Sequence, residues 1–156
     1  MKLHSIDGDT DLSKLQISNL QLVESIVSAT KQMYTTVGSF APWIGYLAEE
    51  GGWIVGACGF KGPPDDQAVE IAYFTFPEFE NQGVATRMAE SMIEIARLAN
   101  PSMRVLAQTL PERNASHRVL EKLQFKVVGM KQHEIDGTVV EWCLDKSAAS
   151  SNQEGR

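Results

Sequence analysis

The chain has 156 residues, 43% of them hydrophobic, which suits one domain built around a continuous core. Its net charge of −6 argues against a general nucleic-acid-binding protein, because such proteins present a basic surface to the phosphate backbone. No apolar run approaches the about 18 residues that a membrane-spanning helix needs, and no apolar segment follows Met1 as in a secretory signal peptide. We therefore expect a cytoplasmic protein without nucleic-acid or membrane partners.

Two cysteines, Cys58 and Cys143, lie in apolar, strand-like segments. In a reducing compartment we expect two buried thiols rather than a disulfide. Neither a C-x-x-C spacing nor a cluster of His and Cys residues is present in the sequence, so we expect no metal site.

The first half of the chain predicts a strand, a helix and a hairpin. Residues 2–6 suit a short strand, and apolar residues at helical spacing predict a helix over 18–34 with Ser18 as its N-cap. Strands are predicted over 44–49 and 53–60, joined by a Glu-Gly-Gly hairpin turn. Three aromatic residues around the end of the helix suit either a substrate pocket or the core: Tyr34, Phe40 and Trp43.

The second half predicts alternating strands and helices. A central strand over 68–76 leads into a helix over 83–99, followed by a strand over 103–109 and a short helix over 116–123. A last pair of strands, 125–131 and 139–144, flanks a turn at Asp136 and Gly137. Residues 1–146 then form the single domain, and the polar tail 147–156 is expected to be disordered.

The segment 69–87 carries the first functional signal. It predicts a strand, a short polar turn with Gly83, and the start of a helix. Backbone N–H groups in the first turn of a helix have no partner within the helix, and with the helix dipole they favour a phosphate group. The turn matches neither G-x-x-x-x-G-K-[ST] nor G-x-G-x-x-G, which argues against P-loop and dinucleotide-binding folds.

Three motifs carry a resemblance to one family. Residues 80–85 (ENQGVA) resemble the acetyl-CoA loop R/Q-x-x-G-x-G/A of the GCN5-related N-acetyltransferase (GNAT) superfamily, with Glu80 in place of Arg or Gln. Residues 111–125 resemble its later signature N-x-x-S-x-x-x-L-E-K-x-G-F, with Asn114 one residue closer to Ser116 and with Gln124 in place of Gly. Residues 60–64 and 69–73 are similar to the branch that includes the ribosomal-protein alanine N-acetyltransferases. The resemblance covers roughly residues 40–130.

The resemblance implies a mixed α/β (α+β) GNAT fold, with a central mixed twisted sheet of six to seven strands and helices on both faces. In this fold the central strand parts from the next one, and the pantetheine arm of acetyl-CoA lies between them. The cofactor-binding residues that the resemblance implies lie on the strand, in the turn and before the short helix: Phe74, Thr75, Phe76, Asn81, Gln82, Gly83, Val84, Ala85, Thr86 and Asn114.

Acetyl transfer to an amine needs a base for the attacking ammonium and a proton donor for the leaving thiolate. Glu70, a carboxylate in an otherwise apolar strand, is the candidate base, although it could instead be a structural carboxylate. Ser116 is the candidate donor, since Leu120 stands where much of the family has Tyr; the alternative for Ser116 is helix capping. Adjacent helical residues point about 100° apart, so we expect His117 to be exposed rather than paired with Ser116. Arg87 is expected to face solvent rather than to meet a CoA phosphate.

The predicted function is therefore N-acetyl transfer from acetyl-CoA to a primary amine, either a small molecule or a protein N-terminus. A non-catalytic acyl-CoA-binding or sensor module is the alternative, because Glu80, Leu120 and Gln124 depart from the family pattern. A different donor such as succinyl-CoA would want a cation near the acyl group, for which Lys61 and Arg113 are the candidates. A homodimer would follow the habit of the family, but the sequence leaves the oligomeric state open.

Overall fold

The computed structural model describes residues 1–145, which form one seven-stranded sheet and three α-helices. The strands are β1 (Lys2–Ser5), β2 (Gly45–Glu50), β3 (Trp53–Phe60), β4 (Ala68–Thr75), β5 (Arg104–Thr109), β6 (Lys126–His133) and β7 (Gly137–Leu144). The helices are α1 (Leu20–Val37), α2 (Val84–Ala99) and α3 (Ala115–Lys122), and short 3-10 turns span Leu12–Lys14 and Pro77–Phe79. The predicted tail 147–156 lies outside the described residues, so its disorder and the boundary at residue 146 stay predictions.

The sheet has the order β1-β2-β3-β4-β5-β7-β6. All its pairs are antiparallel except β4 and β5, which are parallel. The sheet is therefore two antiparallel halves, β1–β4 and β5–β7–β6, joined by one parallel pair. This arrangement is the predicted mixed sheet of the GNAT fold.

Helices cover both faces, as predicted. On one face α2 buries the side chains of a stripe at helical spacing, which packs on the centre of the sheet: Val84, Met88, Ala89, Met92 and Ala96. On the other face Val23 and Val27 of α1 pack on Leu47, Ile54 and Phe76. The residues packed against α1 lie in β2, β3 and the segment after β4, so α1 leaves the face of β4 itself open on this side.

The element boundaries differ from the predictions mainly at helix ends. The N-cap of α1 is Asn19, not Ser18: its side-chain oxygen accepts a hydrogen bond from Leu22 N–H at 3.1 Å. The helix continues to Val37 and ends at Gly38, whose N–H donates to Tyr34 C=O. Helical spacing of apolar residues cannot locate such ends, because the last turn of α1 is largely polar.

Both thiols are free and buried, as predicted for Cys58 and Cys143. Burial in β3 raises the pKa of Cys58 to about 12, so this thiol stays protonated at neutral pH. No helix of residues 1–145 is long and apolar enough to cross a membrane.

Candidate active site

β4 and β5 part after three paired positions. The register joins Ala68 to Arg104, Val69 to Val105 and Glu70 to Leu106, and no pair follows. Both strands continue, β4 to Thr75 and β5 to Thr109, with their facing edges unpaired by each other. The parting that the family resemblance implied is present, and Glu70 lies at its apex.

A cavity of about 450 Å³ lies between β4 and the N-termini of α2 and α3. Three segments line it, from β4, from the turn before α2 and from α3: Tyr73, Phe74, Thr75, Glu80, Asn81, Gly83, Val84, Ala85, Thr86, Ala115, Ser116, Arg118, Val119 and Lys122. Eight of the twelve predicted site residues are in this lining. Glu70, Phe76, Gln82 and Asn114 are not.

The turn before α2 presents free backbone donors to the cavity. Gly83 is the N-cap of α2 in the left-handed conformation (φ 77°), and no side chain caps the helix. The N–H groups of the next three residues therefore have no partner within the helix. Together with the helix dipole they favour a phosphate group at this position, so the geometry suits the phosphate-binding role predicted for this turn.

Arg87 was predicted to face solvent, but its guanidinium is bound to two groups of the protein. Its Nε and Nη2 donate to the two carboxylate oxygens of Glu50 at 2.6 and 2.9 Å, and Nη2 also donates to Gln82 C=O at 2.8 Å. The hydrogen bonds from Arg87 hold the pKa of Glu50 below its ordinary value. Gln82 thus takes part through its carbonyl in fixing the turn to the β2–β3 hairpin, while its side chain lies outside the cavity lining.

Thr75 gives an independent indication that β4 has room for a ligand group. Its Oγ1 is buried and has no hydrogen-bond partner among the described residues, although buried hydroxyls are nearly always satisfied. Because this atom belongs to a residue of the cavity lining, a bound amide or hydroxyl could satisfy it. The residues present therefore fit a polar, extended chain laid along β4, as the pantetheine arm would be.

Phe76, in contrast, was wrongly predicted to meet the pantetheine arm. Its side chain is 1% exposed and packs in the α1 core, its N–H donates to Val55 C=O, and its C=O accepts from Phe79 N–H. Both backbone groups are thus used within the protein, because the chain turns into a 3-10 turn at Pro77.

Asn114 caps α3 instead of lining the cavity. Its side-chain oxygen accepts a hydrogen bond from Ser116 N–H at 2.9 Å. This is the capping alternative to a ligand contact. Capping fixes the first turn of α3 and so places Ser116, whose hydroxyl is not needed as the cap.

Tyr73 is a site residue that the sequence reasoning missed. It lines the cavity beside Ser116, and burial raises its pKa to about 12, partly offset by the nearby Ser116 hydroxyl. A tyrosine with this pKa keeps its proton at neutral pH and can donate it. Strand alternation could have found it, because odd-numbered residues of β4 face away from Glu70.

His117 is buried, not exposed as predicted: 7% of the residue is accessible. Its Nε2 lies 2.8 Å from Leu110 C=O and 3.1 Å from Thr109 Oγ1, which also accepts from Trp142 Nε1 at 2.9 Å. A carbonyl only accepts, so Nε2 carries the proton. The ring packs edge-on against Trp142 and anchors α3 to the sheet, because α3 buries His117 together with Leu120, one turn later.

Glu70 lies outside the cavity lining, on the opposite side of β4 from Tyr73. Its Oε2 is enclosed and lies 2.6 Å from Lys61 Nζ, a contact that is an ion pair rather than an aligned hydrogen bond. Glu70 therefore faces the side of the sheet that α1 leaves open. Its neighbours along this side are the exposed Ala72 and Phe74.

The aromatic residues near α1 separate into core and surface. Tyr34 hydroxyl donates to Ile6 C=O and accepts from Gly45 N–H, both at 2.8 Å, and Trp43 packs edge-on against Phe60. Phe40 is 57% exposed. Within residues 1–145, no group of three or more His, Cys, Asp or Glu side chains is arranged to hold a metal ion.

Comparison with known proteins decides the family. The model of the acetyltransferase (GNAT) domain matches residues 4–126. The chain belongs to the GNAT family. Its acetyltransferase (GNAT) domain is the one that the motifs predicted.

One curated relative is the N-acetylaspartate synthetase of Xenopus tropicalis, 28% identical over 110 residues. The match covers 70% of this chain, which spans only 39% of that relative. Solved structures with the same fold include the ribosomal-protein-S5-alanine acetyltransferase of Vibrio fischeri (TM-score 0.59, 17% identity, 83% of this chain and 69% of the other). RimJ of Mycobacterium smegmatis, solved with CoA-disulfide, aligns at TM-score 0.61 and 15% identity over 96% of this chain and 70% of its own.

Proposed function

We propose that the protein acetylates a primary amine by direct attack of that amine on acetyl-CoA, with a small-molecule amine as acceptor. The observation that carries this proposal is the cavity beside β4, next to the point where β4 and β5 part. It has free backbone donors at the start of α2 and the hydroxyls of Tyr73 and Ser116 close together on its wall.

The turn before α2 would hold the pyrophosphate through its backbone N–H groups. Arg87, bound to Glu50 and to the Gln82 carbonyl, keeps the turn in this shape. Lys122 and Arg118 add positive charge to the same cavity, whereas the carboxylate of Glu80 opposes it. Thr75 would satisfy its buried hydroxyl with the pantetheine arm. Acetyl-CoA supplies a thioester, whose acetyl group an amine can attack.

Ser116 and Tyr73 are suited to donate a proton to the leaving thiolate. Ser116 lies in the first turn of α3, where Asn114 caps the helix and His117 anchors it. Tyr73, with a pKa of about 12, holds its proton at neutral pH and can return one to Ser116. This pair takes the place of the family's Tyr, a position at which the present chain has the buried Leu120.

Glu70 is proposed as the base that removes the proton of the acceptor. It lies about 10 Å along β4 from Tyr73, so a water molecule would carry the proton between the amine and the carboxylate. The acceptor would enter from the α1 side of the gap. A protein N-terminus is the second acceptor class, and the likeness to the ribosomal-protein-S5-alanine acetyltransferase is the observation in its favour.

The test combines binding with turnover. Isothermal titration with acetyl-CoA and with CoA measures binding, and a free-thiol release assay over a panel of small amines and of N-terminal peptides measures transfer. We expect micromolar binding, and thiol release with at least one small amine. Glu70→Gln should keep the binding and lose turnover, most clearly near neutral pH, while Glu78→Gln on the exposed 3-10 turn serves as the control.

Three other results would change the proposal. Release with peptides alone would assign the protein acceptor. Binding without release on any acceptor would favour the acyl-CoA-binding or sensor module. Full turnover by Glu70→Gln would remove Glu70 from the mechanism.

A further inference from the structure

The ion pair of Lys61 and Glu70 bears on which amine the protein accepts. Lys61 follows β3 and is tied to β4 twice: its N–H donates to the Glu70 carbonyl at 2.9 Å, and its Nζ lies 2.6 Å from Glu70 Oε2. The backbone bond fixes the lysine beside Glu70. The glutamate side chain is 23% exposed and that of the lysine 43%, so the pair is open to an incoming molecule from the lysine side.

Two other cations that could meet an acidic group are already bound to carboxylates. Arg113, a second candidate from the sequence, lies 2.7 Å from Glu121, and Arg104 lies 3.6 Å from Asp66. Lys61 differs from both because its partner is the proposed base itself. It also lies on the acceptor side of β4, away from the acyl-CoA cavity, whose lining does not include it. An acyl carboxylate, as in succinyl-CoA, is therefore not what Lys61 is placed to meet.

The charges at this point do not balance for a simple amine. Glu70 and Lys61 cancel, and an alkylammonium approaching Glu70 would add a second positive charge against one carboxylate. Moving Lys61 aside would leave its ammonium without a counter-charge at a half-buried position. An acceptor that carries a carboxylate close to its amine solves both problems. Its ammonium can pair with Glu70, and its carboxylate can then become the counter-charge of Lys61.

We propose that Lys61 selects acceptors in which the amine lies within a few bonds of a carboxylate, such as a free amino acid. This inference rests on the proposed function and names its acceptor class. The small, exposed Ala72 beside Glu70 on the same face leaves space for such a molecule. In the transfer itself, the ammonium gives one proton to Glu70, and the freed nitrogen forms the new amide bond as the thioester C–S bond breaks. The CoA thiolate takes a proton from Ser116, and the second proton lost by the nitrogen replaces it.

The test uses matched acceptor pairs in the thiol-release assay, each an amino acid and the amine that lacks its carboxylate: alanine with ethylamine, phenylalanine with phenethylamine. We expect the wild-type protein to favour the amino acid by about tenfold or more in kcat/KM, as for loss of one hydrogen bond to a charged group. Lys61→Gln should reduce this preference to about threefold or less by raising KM for the amino acid, with the plain amine unchanged or improved. Lys61→Arg should retain most of the preference.

The control variant is Lys14→Gln, which removes another ion-paired lysine, the partner of Asp11 at 4.0 Å, far along the chain from β4. It should leave the preference unchanged. Thermal melting and acetyl-CoA titration of each variant show whether the fold and the donor site are intact.

Several outcomes would overturn the inference. One is equal use of both members of each pair by the wild-type protein; another is a Lys61→Gln variant that lowers both activities equally, which would make the ion pair merely structural. Transfer only to peptide N-termini would also overturn it while leaving the transferase in place. Failure of the proposed function looks different, since then acetyl-CoA binds and no amine of any kind releases thiol.

Discussion

Arg87, in the first turn of α2, holds Glu50 at the end of β2 through two hydrogen bonds of 2.6 and 2.9 Å, although the two residues are 37 positions apart. The same guanidinium donates to the carbonyl of Gln82. One side chain therefore ties the turn before α2 to the end of β2, at the β2–β3 hairpin. We call this contact the Arg87–Glu50 brace, because it stabilises a turn that has no side-chain cap.

This brace gives a pH-dependent prediction. The pKa of Glu50 is lowered by the hydrogen bonds from Arg87, so the stabilisation is fully present above the ordinary glutamate pKa of about 4.3 and is lost as the pH falls through the lowered value. Melting curves of wild type and Glu50→Gln should thus differ at pH 7 and converge in acid, below about pH 4. Both side chains are partly exposed, so we expect a difference of only a few degrees or less. A constant difference over this range would show that Glu50 acts through packing alone.

Gly83 and Gly137 offer a matched pair of substitutions. Both have positive φ, 77° and 74°, but a Cβ on Gly83 would lie 2.7 Å from Arg87 Nη1, whereas a Cβ on Gly137 would have no atom within 4 Å. Each change to Ala should cost about 1 kcal/mol of folding free energy for the left-handed conformation. Only Gly83→Ala should also raise the dissociation constant of acetyl-CoA, by about tenfold, because the turn and its brace shift. Titration calorimetry measures this, and equal binding by the two variants would contradict a role for the turn.

Tyr73→Phe tests the proton donors. With Ser116 deprived of its neighbouring hydroxyl, we expect kcat to fall about tenfold or more while the KM for acetyl-CoA stays within about twofold. The double variant with Ser116→Ala should be little worse than the poorer single variant, since residues that act as a unit are not additive. Tyr46→Phe is the control: its pKa is also about 12, but its hydroxyl bonds Pro42 C=O in the core. An unaffected kcat in Tyr73→Phe would leave this hydroxyl without a catalytic role.

Gln124→Gly is expected to stabilise the protein. Gln124 has φ 70°, and the flanking bonds from its own N–H to Glu121 C=O and from Phe125 N–H to Leu120 C=O close the end of α3. Glycine adopts this conformation without steric cost, so the free energy of unfolding should rise by about 1 kcal/mol. Urea unfolding measures the gain, and Gln124→Ala, which keeps the strain, should show none. The family's preference for Gly at this position thus has a conformational origin, and the departure in this chain concerns stability.

Most of the fold could be predicted from the sequence, because the spacing of apolar residues in each element matches the face that this element buries. The helix over 83–99 is an example: its stripe of buried residues follows from period alone. The family motifs added what periodicity cannot supply, the parting of β4 and β5, because unpaired strand edges leave no trace in hydrophobicity. Element ends were less predictable, since caps such as Asn19 depend on one side-chain hydrogen bond.

The position of the site could be predicted from the sequence where backbone N–H groups provide the binding. It was harder to predict where a side chain has several possible hydrogen-bond partners. The turn of 81–86 needs only a Gly and a following helix. His117, in contrast, contacts Thr109, Leu110 and Trp142, which lie at the end of β5 and in β7. Arg87 of α2 likewise binds Glu50 at the end of β2, 37 positions earlier in the chain. Such contacts join distant parts of the chain, and no spacing rule within one helix can predict them.

The parting of the central strands also makes β4 and β5 the weakest seam in the sheet, since three residue pairs join the two halves there. An amide hydrogen beyond Glu70 on the open edge of β4 has no neighbouring strand to protect it from exchange with solvent. A molecule lying in the gap would take the place of the missing strand and connect the two edges where β4 and β5 do not pair. Binding of acetyl-CoA should therefore stabilise the association of the two half-sheets and slow amide exchange well beyond the few residues that contact it.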